Sequence, residues 1–407
     1  MNKQNQNSRI RWVYLIIGII AMLFAGVLYA WSILKSPLAH EFGWGASELA
    51  LNFTLAMSFF CIGGLLGSQL SSRVDHRITL ILAGILSALG FVLTTFLPGT
   101  SVGMLYITYG VLAGLGIGIA YNVVIATVSA WFPDKKGLCS GCLMMGFGSS
   151  ALILGNIANT MFNSSFGWRF TYILLGVSIC VVLVLAGFLL HRPSQDDILP
   201  QAKKIKAAGT ENFEHRDYTS VQMIRRPSFW IAFIAISFLA AVGSSVISFA
   251  KDLALSVNAP ESLAVSLVGV LSVCNGLGRI LTGAIFDIIG RRKTMICANL
   301  LTIGAASVTL LAVSIGSLPL CIVGLCLTGM SYGSCPTITA AFTSSFFGMK
   351  HFPSNMALMT FTVMIGSFIA TASNKILEAT GGYNASFVIL LSLTIIALVM
   401  NLFIREP

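Results

Sequence analysis

Charge is scarce in this chain. Only 9% of its 407 residues are Asp, Glu, Lys or Arg, whereas a soluble globular domain carries about 25%. Acid is the scarcer sign, 14 residues against 24 basic ones. A water-soluble protein is therefore excluded. Long polar segments are also missing: the one stretch of any length, 191–226, has about 36 residues, too few for a signalling domain. That counts against a membrane sensor that signals through a cytosolic domain. No nucleophile is paired with a base, and neither a metal-ligand cluster nor a nucleotide-binding loop can be found, so the chain reads as a non-enzyme without metal or cofactor. Cys139 and Cys142 form a CxxC among nine cysteines, but no second pair accompanies them. They read as small apolar filler.

What the chain has in abundance is apolar sequence, 56% of residues, with a mean hydropathy of +0.88. Twelve runs of spanning length can be marked at roughly 12–34, 47–70, 78–98, 102–130, 138–162, 168–190, 227–250, 262–287, 293–314, 319–344, 354–374 and 384–404. The expected class is an all-α membrane protein with twelve transmembrane helices in a lipid bilayer. Strands of a barrel would be shorter and alternating, and the 39 glycines suit close helix packing in lipid. With the N-terminus in the cytosol, 19 of the 24 Lys and Arg fall on that side, and Lys35, Arg169, Lys251 and Lys375 fall outside. Both termini are then cytosolic, in a multi-pass protein of the cell (inner) membrane. The same bias explains the net charge of +10 without a nucleic-acid partner. The first run lacks a small-residue cleavage site and reads as a retained helix.

The polar stretch 191–226 separates two halves, a six-helix bundle at 1–190 and another at 227–407, and reads as a cytosolic linker. The halves echo each other. Gly118-Ile-Ala-Tyr121 and Gly329-Met-Ser-Tyr332 are 211 residues apart, and the segment Gly283–Arg292 after the eighth run echoes Ser72–Arg77 after the second. Two six-helix repeats with a binding site between them form the architecture of alternating access.

One charge breaks the apolar pattern. Arg279 lies eight residues before Asp287, about 12 Å of helical rise and close to half of a hydrocarbon layer about 30 Å thick. Burying it there costs about 2.5 to 3.5 kcal/mol, so it is expected to face the protein interior and to need a counter-charge. In this topology the acids lie toward the two faces: Glu41, Glu48, Asp252, Glu261 and Glu378 are near the outer one and the rest are cytosolic. A bound anion is the expected counter-charge, and a salt bridge to a neighbouring acid is the alternative. The planar guanidinium fits a carboxylate bidentately. Asn275, one turn earlier, either orients it, bonds a cargo hydroxyl or carbonyl, or bonds another helix. Tyr121 and Tyr332, both near mid-membrane, are candidates to donate hydroxyls to a carboxylate, with packing as the alternative. Asn122, Tyr29 and Ser367 are weaker candidates of the same kind.

The run Gly283-x-x-x-Asp287-x-x-Gly290-Arg291-Arg292 resembles the loop motif of the major facilitator superfamily. The resemblance implies that Asp287 and Arg291 tie helix ends together in one conformation. The first-half copy, with Arg73 and Arg77, has Ser72 and Asp75 where the motif's aspartate and glycine belong. Trp131-Phe-Pro-Asp-Lys-Lys-Gly137, Gly167-Trp-Arg169, Met223-Ile-Arg-Arg-Pro-Ser-Phe-Trp230 and Asn275-Gly-Leu-Gly-Arg279 are similar to the oxalate/formate antiporter and monocarboxylate transporter branch. So is Phe42-Gly-Trp-Gly-Ala-Ser-Glu48. In that branch the matching arginine clamps the cargo carboxylate. Oxalate carriers add a lysine where Val363 stands here, so the resemblance implies a small monocarboxylate such as lactate or pyruvate. Animal monocarboxylate carriers have an aspartate at Asn275 and a lysine resembling Lys35. Lys35 is thus a proton-coupling candidate, with snorkelling to the headgroups as the other reading. A proton is the expected coupled ion because an anion entering a negative cell costs about 2.3 kcal/mol per 100 mV. Anion exchange of the oxalate/formate type is the alternative.

Overall fold

A chain crosses lipid only where each backbone N–H and C=O finds a partner within the protein, and a helix supplies these partners inside a single segment. The structure, a computed structural model, describes residues 3–99, 101–132, 136–193, 217–348 and 351–404. Among these, twelve helices are long and apolar enough to cross a membrane. The chain divides into two compact units, Met1–Lys203 and Lys204–Pro407. Most of the linker expected at 191–226, residues 194–216, lies outside the described residues.

In the first unit, α1 comprises Lys3–Ala25, a 3-10 segment Gly26–Ala30 and Trp31–Phe42. Then come α2 (Ala46–Arg73) and α3 (His76–Thr94). The fourth helix, α4, passes from Gly103–Leu105 through a π segment Tyr106–Ala113 into Gly114–Ser129. It is followed by α5 (Lys136–Phe162) and α6 (Gly167–Leu189). The second unit has α7 (Pro227–Ser256), α8 (Glu261–Ile289), α9 (Arg291–Ile315), α10 (Leu318–Phe347), α11 (Phe352–Thr380) and α12 (Tyr383–Leu402). A short helix Ser220–Ile224 leads into α7. It is anchored to the second unit, since Tyr218 N donates to Phe347 O at 3.0 Å and Ser220 Oγ to Asn355 Oδ1 at 2.9 Å. Pro227 at the first turn of α7 leaves no helical bond unmade.

Each unit contains a helix pair that meets backbone to backbone, and these two pairs obey the same arithmetic. Gly118 of α4 lies on the Phe60 carbonyl of α2, and Gly67 of α2 lies on Ile119. Shifting each number by 211 gives Gly329 of α10 on the Leu271 carbonyl of α8, and Gly278 of α8 on Met330, which is what the second unit shows. Such approach requires a missing Cβ, because lipid supplies no hydrophobic drive between helices and close van der Waals packing must replace it. The sequence repeat at Gly118 and Gly329 thus marks a helix crossing.

Replacing Gly329 by Val puts a side chain into the Leu271 carbonyl and is expected to destabilise the detergent-purified protein by about 3 kcal/mol. Gly304, whose Cβ would meet nothing within 4 Å, is the control. Thermal unfolding should show a large drop for Gly329→Val and little change for Gly304→Val.

Candidate functional site

Arg279 occupies α8 about 27 Å of rise from Glu261 and about 15 Å from Ile289. It is half-buried. Its Nε donates to Asn275 Oδ1 at 3.4 Å, and its own carbonyl accepts from Thr337 Oγ1 at 3.4 Å. The backbone beneath it is fixed by α10, where Gly278 sits on Met330 and Gly333 on the Asn275 carbonyl. Asn275 is 2% exposed, and its Nδ2 has no hydrogen-bond partner among the described residues. The side chain therefore orients the guanidinium through its oxygen and keeps an unused donor one helical turn away.

Tyr332, next to Gly333 on α10, is buried with its ring against Gly243 of α7. Ser367 on α11 is fully buried and turns back to donate to Val363 O at 3.0 Å. Its neighbour Gly366 packs on Ala240 and Ala241 of α7. Asn275 and Arg279 on α8, Tyr332 on α10 and Ser367 on α11 thus belong to one unit, with α7 packed against both α10 and α11. Val363 is half-buried on α11.

In the first unit the structure collects Tyr29 and Tyr121 around Phe147 of α5, with ring centroids at 5.0 and 5.2 Å. Phe60 of α2 adds a fourth ring, 5.0 Å from Tyr121. Tyr121 OH donates to Met144 Sδ at 2.7 Å, a weak acceptor. Asn122 behaves differently from its neighbour, because its amide packs on Gly64 of α2. Lys35, on the Trp31–Phe42 part of α1, is 5% exposed. Phe60, Met144 and Phe147 were not among the expected residues; an aromatic in an apolar helix carries no periodic signal that separates lining from core.

The loop residues form structural clamps at helix ends. Glu41 at the end of α1 accepts from Arg169 Nη2 at 2.6 Å and from Trp168 Nε1. Glu48 accepts from Gly45 N at 2.9 Å and caps α2. These contacts account for Gly167-Trp-Arg169 and for the segment after α1. At the other end Arg77 Nη2 bonds His191 Nε2 at 2.7 Å, Arg192 Nη1 donates to Ser71 O at 3.2 Å, and Trp131 Nε1 donates to His191 O at 2.6 Å. Arg77 thereby joins the α2–α3 turn to the end of α6, and Arg73 is exposed. In the second unit Gly290 takes φ 74° between α8 and α9, a left-handed value that suits glycine. Arg292 is exposed. The gate expected of the Asp287 and Arg291 side chains lies outside the described residues, as do Pro133, Asp134 and Lys135 of the Trp131–Gly137 motif.

The family model of the Major Facilitator Superfamily matches residues 13–256 and 233–407. The chain belongs to that superfamily. This member is accordingly a multi-pass membrane protein and a secondary transporter, not an enzyme. It is 27% identical to the MFS-type transporter YhjX of Escherichia coli K12, over 88% of this chain and 86% of that one. It is 30% identical to the oxalate:formate antiporter of Oxalobacter formigenes, over 70% of this chain and 65% of the antiporter. To human monocarboxylate transporter 12 the identity is 24%, over 80% of this chain and 66% of the relative. These relatives are named for small organic anions in two cases out of three, and they do not fix the cargo of this superfamily member.

Asp75 gives a test of the α2–α3 clamp. Its Oδ1 accepts from Arg77 N at 3.1 Å and lies 2.7 Å from His76 Nδ1. The Arg77 backbone N–H, aided by the charges of His76, Arg77 and Arg192 and opposed by partial burial, holds the carboxyl below its ordinary value of 3.8. A carboxyl lowered on folding stabilises above its unfolded pKa and loses that contribution as pH falls through the folded one. Asp75→Ala is expected to cost about 1 kcal/mol at neutral pH through loss of the α3 cap. The gap from wild type should close as unfolding is measured below pH 3.8.

Proposed function

We propose that this carrier moves a small monocarboxylate of the lactate or pyruvate kind by alternating access, with Arg279 as counter-ion and one proton as the coupled ion. It does so in the cell (inner) membrane with both termini cytosolic, the orientation favoured by the Lys and Arg distribution. The observation that carries the reading is the half-buried guanidinium in the interior of α8, steered by Asn275 Oδ1. A guanidinium offers parallel donors to a carboxylate, and surroundings of low polarity strengthen the bond. The open Nδ2 of Asn275 supplies a further donor for a cargo oxygen. The hydroxyls of Tyr121 and Tyr332 are the remaining proposed contacts.

The charge count separates one carboxylate from two. Val363 stands where a second cation would be needed for oxalate, and a dianion facing one cation leaves a desolvated negative charge. Coupling to one proton makes inward movement of a monoanion electrically neutral, which removes the work against the membrane potential. Lys35, buried in the first unit, is the proposed proton-coupling group. The likeness to the oxalate:formate antiporter supports exchange as the second reading. Proteoliposomes separate the two, since accumulation driven by a pH gradient marks symport and uptake requiring an internal anion marks exchange.

Arg279→Ala is expected to insert and to lower labelled lactate uptake by about a hundredfold or more, the loss of a charge-assisted pair. Uptake at wild-type level in a correctly inserted variant removes Arg279 from the site. Val363→Lys is expected to raise competition by oxalate against labelled lactate, and an unchanged competition profile argues against the charge count.

A further inference from the structure

The seam between α7 and α11 contains polar groups that the proposed cargo site does not use. Its register is fixed at two levels: Gly366 lies against Ala240 and Ala241, and Asn374 Nδ2 donates to Ser248 Oγ at 3.0 Å. Both pairs have the same spacing in sequence, so the two helices run parallel. Ser244, Ser245 and Ser248 are therefore level with Ala370, Thr371 and Asn374. All six are buried.

A hydroxyl in an apolar helix ordinarily turns back onto a carbonyl of the preceding turn. Ser237, Ser248 and Ser367 do so. Ser244 and Ser245 do not, and both Oγ atoms are buried without a hydrogen-bond partner among the described residues. Asn374 Oδ1 is in the same position, although its Nδ2 donates to both Ser248 Oγ and Ala370 O. Three neutral oxygens are thus left open on adjacent turns of one helix pair. The backbone is interrupted beside them, because Phe249 has φ −132° and ψ 18° within α7. Oxygen donors next to a broken membrane helix are the chemistry that takes up an alkali cation, and hard oxygens are the ligands such ions prefer.

The cation on α7 is neutralised by an acid and so does not oppose a bound ion. Lys251, one turn beyond Ser248, is held by Glu261 Oε1 at 3.1 Å. Asp252 follows it, and α11 ends with Lys375 and Glu378, giving three acids to two bases at this end of the unit. No carboxylate belongs to the seam itself, which favours a monovalent ion over a divalent one.

We propose that Ser244 Oγ, Ser245 Oγ and Asn374 Oδ1 ligate a monovalent cation of sodium size in the second unit. The site is independent of how the cargo's charge is balanced, since it shares no residue with the proposed cargo site.

The test uses the purified full chain in detergent, with thermal unfolding followed as NaCl replaces N-methylglucamine chloride at constant ionic strength. Sodium should raise the midpoint in a saturable way, as any ligand of the folded state does, and more than potassium does. Ser244→Ala and Ser245→Ala should each raise the half-saturating sodium concentration about tenfold, the loss of one ligand. Asn374→Asp should lower it by about the same factor, and Ser237→Ala, whose hydroxyl is already bonded, should leave it unchanged. An equal response to N-methylglucamine, a potassium response larger than that to sodium, or a sodium response untouched by the Ser244, Ser245 and Asn374 variants overturns the site.

Discussion

The crossing of α8 and α10 governs the chemistry of the second unit. Gly278, Gly329 and Gly333 let two backbones touch, and that contact fixes the rotation of α8 about its axis. Rotation decides which way Asn275 and Arg279 point. A charge at membrane depth is tolerable only when directed into protein or a wet cavity, so the glycines that set the rotation also make the arginine affordable. Packing and charge placement are here one constraint.

The repeat clarifies why one unit holds the cation. In both crossings an asparagine of one helix packs on a glycine of the other, but the helices exchange parts: Asn122 of α4 lies on Gly64 of α2, whereas Asn275 of α8 lies under Gly333 of α10. Shifting Arg279 back by 211 leads to Ser68 on α2. The first unit thus has the same scaffold without the guanidinium, and in its place offers the aromatic group of Tyr29, Phe60, Tyr121 and Phe147.

Much of the fold was legible because membrane-spanning helices announce themselves by length and apolarity, and Gly118 and Gly329 flagged the repeat. The breaks were not legible. The 3-10 segment Gly26–Ala30, the π segment Tyr106–Ala113 and the distortion at Phe249 lie in unbroken apolar sequence, where lost helical bonds are compensated by neighbours that no local pattern reveals. Arg279 stood out because charge is rare at that depth, and Asn275 because it is one turn away. Phe147 and Met144 looked like any other core residues. The Gly167-Trp-Arg169 motif was visible, but its contact with Glu41 depends on a meeting between α1 and α6 that spacing alone cannot give. The open oxygens of Ser244, Ser245 and Asn374 are equally invisible in sequence, since a serine in a helix gives no sign of which way its hydroxyl turns.

Equilibrium binding of lactate to the purified protein, by titration calorimetry at neutral pH, probes the guanidinium without invoking translocation. A counter-ion role for Arg279 requires measurable heat with the native chain, its loss in Arg279→Ala, and partial recovery in Arg279→Lys, which restores charge but not the planar fork. Equal affinity in the native chain and in folded Arg279→Ala contradicts that role.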